Sequence, residues 1–200
     1  MAQLRLVCLV IVAQLLSIAP GFAQGMLAAK FVHAAAGLEN KSVSFDGSYR
    51  RIGYPFGDVP ANIGVCADVV VRAYRAIGVD LQRLVHEDMA RNFSLYPKLW
   101  GLHRPDTNID HRRVPNLRTF FKRQGESLKI TDDAHDYRAG DLVIWNLNPQ
   151  GSLPHIGIIT SKRTADGARP LIMHNMGGGQ VFEDILFTYK ITGHFRYAID

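Results

Sequence analysis

Two cysteines occur in 200 residues, and their placement limits how this chain can be held together. Cys8 sits inside an apolar run, residues 6–18, preceded by the charge of Arg5 and followed by Pro20, Gly21 and Ala23. That is the layout of a secretory leader, too short to span a bilayer. Residues 1–23 are therefore expected to be removed, with the mature chain beginning near Gln24. Cys8 follows Val7 and lies far from the cleavage point, so it does not fit a lipid-bearing cysteine. Only Cys66 then remains, and no intramolecular disulfide is available. Residues 24–200 must be stabilised by one buried core, and their number suffices for a single domain. An exported chain meets an oxidising compartment, where a lone thiol is either buried and inert or chemically employed.

The formal net charge is +5, one less without Arg5, and the charges are scattered apart from short clusters such as His111-Arg112-Arg113. No nucleic-acid footprint is expected from such a distribution. A mild positive balance suits an anionic polymer, although a solvated surface gives the same count. No second apolar run reaches membrane length, so no transmembrane segment is expected in the mature chain. The expected location is outside the cell, or the periplasm in a Gram-negative source.

The order of elements comes from periodicity. Residues 26–38 place Leu27, Phe31, Ala34, Ala35 and Leu38 on one helical face. Residues 42–54 read as an extended lead-in, and the following YPFGDVPANIG as loop. Cys66, Val69, Val70, Ala73 and Ile77 then form a helical stripe opposite Asp68, Arg72 and Arg75, which Gly78 is placed to end. Residues 80–135 read as a helical and loop insertion, with helices near 81–93 and 114–121. Strands are expected at 141–147, 155–160, 171–175 and about 189–197, each short, β-branched or aromatic and bounded by Gly, Pro or Asn. Helices first and strands afterwards predict an α+β domain with helices on an antiparallel sheet.

A thiol at the first turn of a helix meets unpaired N–H groups and the positive end of the helix dipole, which favour its thiolate. A partnering imidazole completes a nucleophile–base pair. His155 is the candidate, because it opens the otherwise apolar strand PHIGIIT, and a polar ring at the mouth of a buried strand needs a partner or a purpose. If the two work together, their reactive atoms should lie within about 4 Å. His86, Glu87, Asp88, His103, Asp110 and His111 match no zinc signature, and no metal or cofactor is expected. Arg112 and Arg113, beside His111, are candidates to clamp a substrate carboxylate, with structural ion pairing as the equal alternative. Trp100, Tyr96 and Phe93 read as packing residues, with a sugar platform as the lesser alternative. Gly177-Gly178-Gly179 lacks the Lys-Ser/Thr of a phosphate loop and reads as a turn.

Tyr54 with Gly57, GVCADVVVRAYR around Cys66, Gly140-Asp141-Leu142-Val143, His155-Ile156-Gly157-Ile158 and Leu171-Ile172-Met173-His174 follow the chain order of the NlpC-type peptidases. The sequence resembles that papain-like group, whose members cut peptidoglycan peptides. The segments GDVPANIGVCADVVVRAYR, LVHEDM and NIDHRRVPNL further resemble the bacterial family called domain of unknown function 1287, across nearly the whole mature chain. The first resemblance implies a papain-like α+β fold with Cys66 as nucleophile, His155 as base and His174 as the residue that orients it. Asn175 is the alternative third residue. It also implies that a tyrosine and an acidic residue hold the free amine of a stem peptide. Tyr54 keeps the tyrosine's place, but Asp-Cys-Ser is replaced by Val65-Cys66-Ala67, with Asp68 displaced. The implied function is a secreted cysteine-dependent amide hydrolase on peptidoglycan or a related peptide. The alternatives are acyl transfer or another amide cleavage on the same fold, and a non-catalytic wall-binding module.

Strand parity favours His174 over Asn175. In an antiparallel hairpin closed tightly at Asp166-Gly167, His174 faces Ile159, on His155's side of the sheet but too far along it. A longer loop centred on Thr164-Ala165 sets His174 directly opposite His155, and that loop is the expectation.

Overall fold

A computed structural model describes residues 20–199, with side chains from residue 25. Residues 1–19, which hold the apolar run of the expected leader, lie outside them. Helix α1 spans Pro20–Ala36 and buries Phe31, Val32 and Ala35. Two short parallel strands follow, β1 (Ser44–Phe45) and β2 (Ile63–Gly64); β2 takes up the last two residues of the stretch expected to be loop. Helix α2 (Cys66–Ala76) starts at Cys66 as the stripe predicted, and Gly78 follows its end at φ +85°. Its polar side is not idle. Arg72 and Arg75 both reach Asp58, and Arg72 also donates to the carbonyls of Val59, Pro60 and Ile63, pinning the loop to the helix.

Helices α3 (Leu81–Asn92) and α4 (Val114–Gln124) come next, then strands β3 (Glu126–Ser127), β4 (Leu142–Asn146), β5 (Pro154–Arg163), β6 (Pro170–His174), β7 (Val181–Glu183) and β8 (Lys190–Arg196). The six later strands form one sheet in the order β3-β8-β4-β5-β6-β7, every pairing antiparallel. This is the α+β layout expected from the sequence. Residues 80–135 do not stand apart from it. Leu81, Val85, Met89, Leu117, Phe120 and Phe121 share one core with Val69, Val70, Tyr74, Ile144, Ile156 and Phe195. The other sheet face is covered by a smaller cluster of Tyr137, Val143, Trp145, Ile159, Ile172 and Leu186. No helix among the described residues is long and apolar enough to cross a membrane.

The β5–β6 hairpin corrects the expected register. Near the turn Arg163 faces Pro170, and Thr164 N–H donates to Arg169 O at 2.9 Å, the tight register rather than the longer loop. A bulge between Ile159 and Arg163 then shifts the pairing by two, so that Ile158 faces Met173. Thr160 Oγ1 donates to Leu171 O at 2.7 Å across the bulge, replacing a ladder bond lost there. In the shifted register His174 comes opposite Gly157, one diagonal step from His155 and on its face.

Candidate active site

Cys66 opens α2, with Val65 as the preceding cap. The Asp68 carboxylate accepts from the Val65 N–H at 2.7 Å, the back-bond that fixes the first turn. The thiol is only 6% exposed and packs with Ile156 and Ile158 on the helix side of the sheet. Its sulfur lies against the backbone N–H of Ile156, the residue after His155. Burial pushes the thiol up to about 11, outweighing the nearby amides of Ile156, Ala67 and Cys66 that favour the thiolate. The thiolate expected from the helix dipole is therefore not the resting state.

His155 is the second residue of β5, buried, and paired across the sheet with Trp145. Its Nε2 lies 3.1 Å from His174 Nδ1, and the two rings meet edge to face with centroids 5.1 Å apart. His174 Nε2 in turn lies 3.1 Å from Glu183 Oε2 on β7, near enough for an ion pair though not aligned as a hydrogen bond. Burial, reinforced by neighbouring His174, lowers His155 to about 3. Burial also lowers His174, against the opposing pull of Glu183. Both imidazoles are neutral at physiological pH, and His155 is thus in the protonation state of a base. Alternation along β5 sets His155 on the face of Trp145 and Cys66 against the face of Ile156, so the two stand on opposite sides of the strand. No hydrogen bond joins them among the described residues.

Gly157 makes the imidazole pair possible. A Cβ there would lie 2.5 Å from Ile172 Cγ2 and 3.3 Å from His174 Cβ, so any side chain would push β6 away. Asn175 faces the opposite side, as parity predicted. Its amide donates to Gly64 O at 3.2 Å and accepts from Gly177 N–H at 2.9 Å, which ties the end of β6 to β2, two residues before the cysteine helix.

Cys66 borders a cleft of ≈ 570 Å³ with Phe45, Tyr49, Trp100, Arg113 and Pro154. The residues expected to bind substrate are distributed differently from the expectation. Asp68 and Arg112 are both buried and joined twice, Nε to Oδ1 at 2.8 Å and Nη2 to Oδ2 at 2.9 Å. Arg112 also donates to the carbonyls of Asp46 and Ser48. Their polar atoms are spent on each other and on the loop, so the pair is structural rather than a clamp. Tyr54 is 43% exposed and meets His86 edge-on, outside the cleft lining. Tyr49 is the tyrosine on the cleft, bonded to Asp106 and Asn108. His111 is buried away from the cleft with Nδ1 unpartnered, and burial followed by the Arg112 charge lowers it to about 4. Of the five, Arg112 and Arg113 line the cleft, and only Arg113 keeps its charge partly open; it pairs with Asp110 at 3.1 Å and lies 4.0 Å over the Trp100 ring.

Two contributors were missed or underweighted. Trp100, read first as packing, is 38% exposed on the cleft wall. Glu183 sits on a three-residue strand too short to show periodicity, and no local pattern marks it.

A helix-borne thiol on a cleft and a hydrogen-bonded histidine pair on β5 and β6 mark an α+β domain with helices on an antiparallel sheet. The chain belongs to the family described as domain of unknown function (DUF1287), which matches residues 32–197. It is 50% identical over 155 residues to "Uncharacterized protein YijF" of Escherichia coli (strain K12), covering 78% of this chain and 74% of that one. A solved structure described as similar to a lipoprotein of the NLP/P60 family, from Staphylococcus aureus subsp. aureus Mu50, is 12% identical with a TM-score of 0.40. That match covers 86% of this chain and 41% of the other, so this chain spans less than half of its length. A likeness at that score carries no argument about fold or chemistry.

Proposed function

We propose that the protein is a cysteine-dependent amide hydrolase acting on peptidoglycan peptides outside the cytoplasm. The observation that supports this most is the convergence on one strand end: the Cys66 thiol lies against the Ile156 amide, and the preceding residue, His155, is held by His174. In the reaction, Cys66 Sγ attacks the amide carbonyl while its proton passes to neutral His155. Backbone N–H groups at the start of α2 receive the developing oxyanion. The C–N bond then breaks, and His155 returns the proton to the leaving amine. Water, deprotonated by His155, cleaves the thioester and regenerates the thiol; its attack is the step that an acyl acceptor replaces in a transferase. His174 positions the imidazole, and Glu183 steadies His174.

A second reading has its own support. The raised thiol and the missing Cys66–His155 hydrogen bond are what a wall-binding module with a dead site would show. Acid-quenched mixtures of protein and peptidoglycan peptides separate the two by intact mass. The hydrolase forms a peptide adduct on Cys66 that is absent from Cys66→Ala. Peptide binding without any adduct or cleavage would leave the module.

A further inference from the structure

The cleft at Cys66 does not end at Pro154. A cavity of ≈ 680 Å³ adjoins it, and both are lined by Leu99, Val114, Pro115, Ser152 and Pro154, which makes one groove running from Cys66 along α4. No Asp or Glu lines either part, whereas Arg112, Arg113, Arg118, Lys122 and Arg123 do. Three of these cations are already neutralised: Arg112 by Asp68, Arg113 by Asp110 and Arg123 by Asp88. Arg118 and Lys122 are exposed, stand one turn apart on the same face of α4, and have no ion-pair partner among the described residues. Two unneutralised charges of one sign on a partly apolar trough focus a positive field there.

We propose that the α4 end of this groove is a carboxylate subsite, in which Arg118 and Lys122 receive an acidic group of a peptide whose scissile amide lies at Cys66. The proposal deepens the amide-hydrolase reading and rests on it. A free amine is disfavoured at the same place. It would meet two cations, and Asp68, the acidic residue nearest Cys66 in sequence, is spent on Arg112. Val114 borders both parts of the groove; Arg118 lies about 6 Å and Lys122 about 12 Å further along the helix. Extended peptide advances about 3.3 Å per residue, so the carboxylate belongs roughly two to four residues beyond that junction.

The test measures binding to full-length Cys66→Ala protein, which cannot turn over. The probes are a labelled stem-type peptide with free carboxylates and its fully amidated counterpart, compared by fluorescence anisotropy. The acidic peptide is expected to bind about five- to tenfold more tightly. Adding R118Q and K122Q should remove that preference while the amidated peptide's affinity stays unchanged. Both positions are exposed, and an unchanged melting temperature verifies the fold. Equal affinity for the two peptides, or a preference that survives the double substitution, overturns the subsite. Displacement of the acidic peptide by inorganic phosphate as readily as by free carboxylate peptide also overturns it, since the site would then take any anion. A clear preference with no cleavage by unmutated protein counts against the hydrolase reading alone, and cleavage without preference counts against the subsite alone.

Discussion

At Cys66 two influences act on the same proton: amides at the start of α2 favour the thiolate, and the surrounding core favours the thiol. With burial prevailing and His155 neutral, the resting site holds thiol and imidazole rather than an ion pair. Iodoacetamide should therefore alkylate Cys66 slowly at pH 7, with a rate that climbs from about pH 9 toward 11. A fast plateau already reached near pH 6 would show an ion pair instead. The histidines also set a stability limit. His155, His174 and His111 are all lowered from the ordinary value of 6.5, so below that pH the unfolded chain binds more protons than the folded one. Stability is then full above pH 6.5 and falls as the pH drops toward about 3, by an amount on the order of a few kcal/mol. Urea midpoints between pH 8 and 4 measure it, and midpoints independent of pH across that range would contradict it. At His174, replacement by Ala should cost about 100-fold or more in activity, and Glu183→Gln should cost less, on the order of tenfold. Asn175→Ala should lower the melting temperature more than the rate per folded molecule, because its amide ties Gly64 to Gly177.

Secondary elements made the site legible to different degrees. The start of α2 at Cys66 followed from its regular apolar stripe, and the strand at His155 from a short β-branched run bounded by turn residues. Parity alone placed His174 on the face of His155. What spacing cannot give is a bulge: three residues of β5, Thr160 to Lys162, lie against Leu171 alone, and only the folded ladder reveals the shift. Structural pairing was one of the two readings open for Arg112, but its partner was not legible. Asp68 and Arg112 are 44 positions apart, and no local signal says that they neutralise each other. Two substitutions test these element-level roles. Gly157→Ala should destabilise by about 1–3 kcal/mol through the close approach to Ile172, with a larger loss of activity as His174 is displaced. Arg112→Ala strands the Asp68 carboxylate and should cost about 3–5 kcal/mol, read from denaturant unfolding. A near-neutral effect at either position would contradict the packing described.

For the whole molecule, one core joins the cysteine helix, the 80–135 segment and the sheet. The groove therefore has a rigid wall in α4 rather than a detachable insertion, and catalysis and recognition are expected to share one folding unit. That places the burden of the account on a single residue of a single domain, Cys66. The most direct test is incubation of the purified protein with muropeptides, with products identified by mass, beside equal amounts of Cys66→Ala and His155→Ala. The hydrolase reading predicts, from unmutated protein alone, new peptide fragments whose masses together equal the parent plus one water. Fragments from Cys66→Ala at the same rate, or none from unmutated protein that binds the same muropeptides, would contradict it.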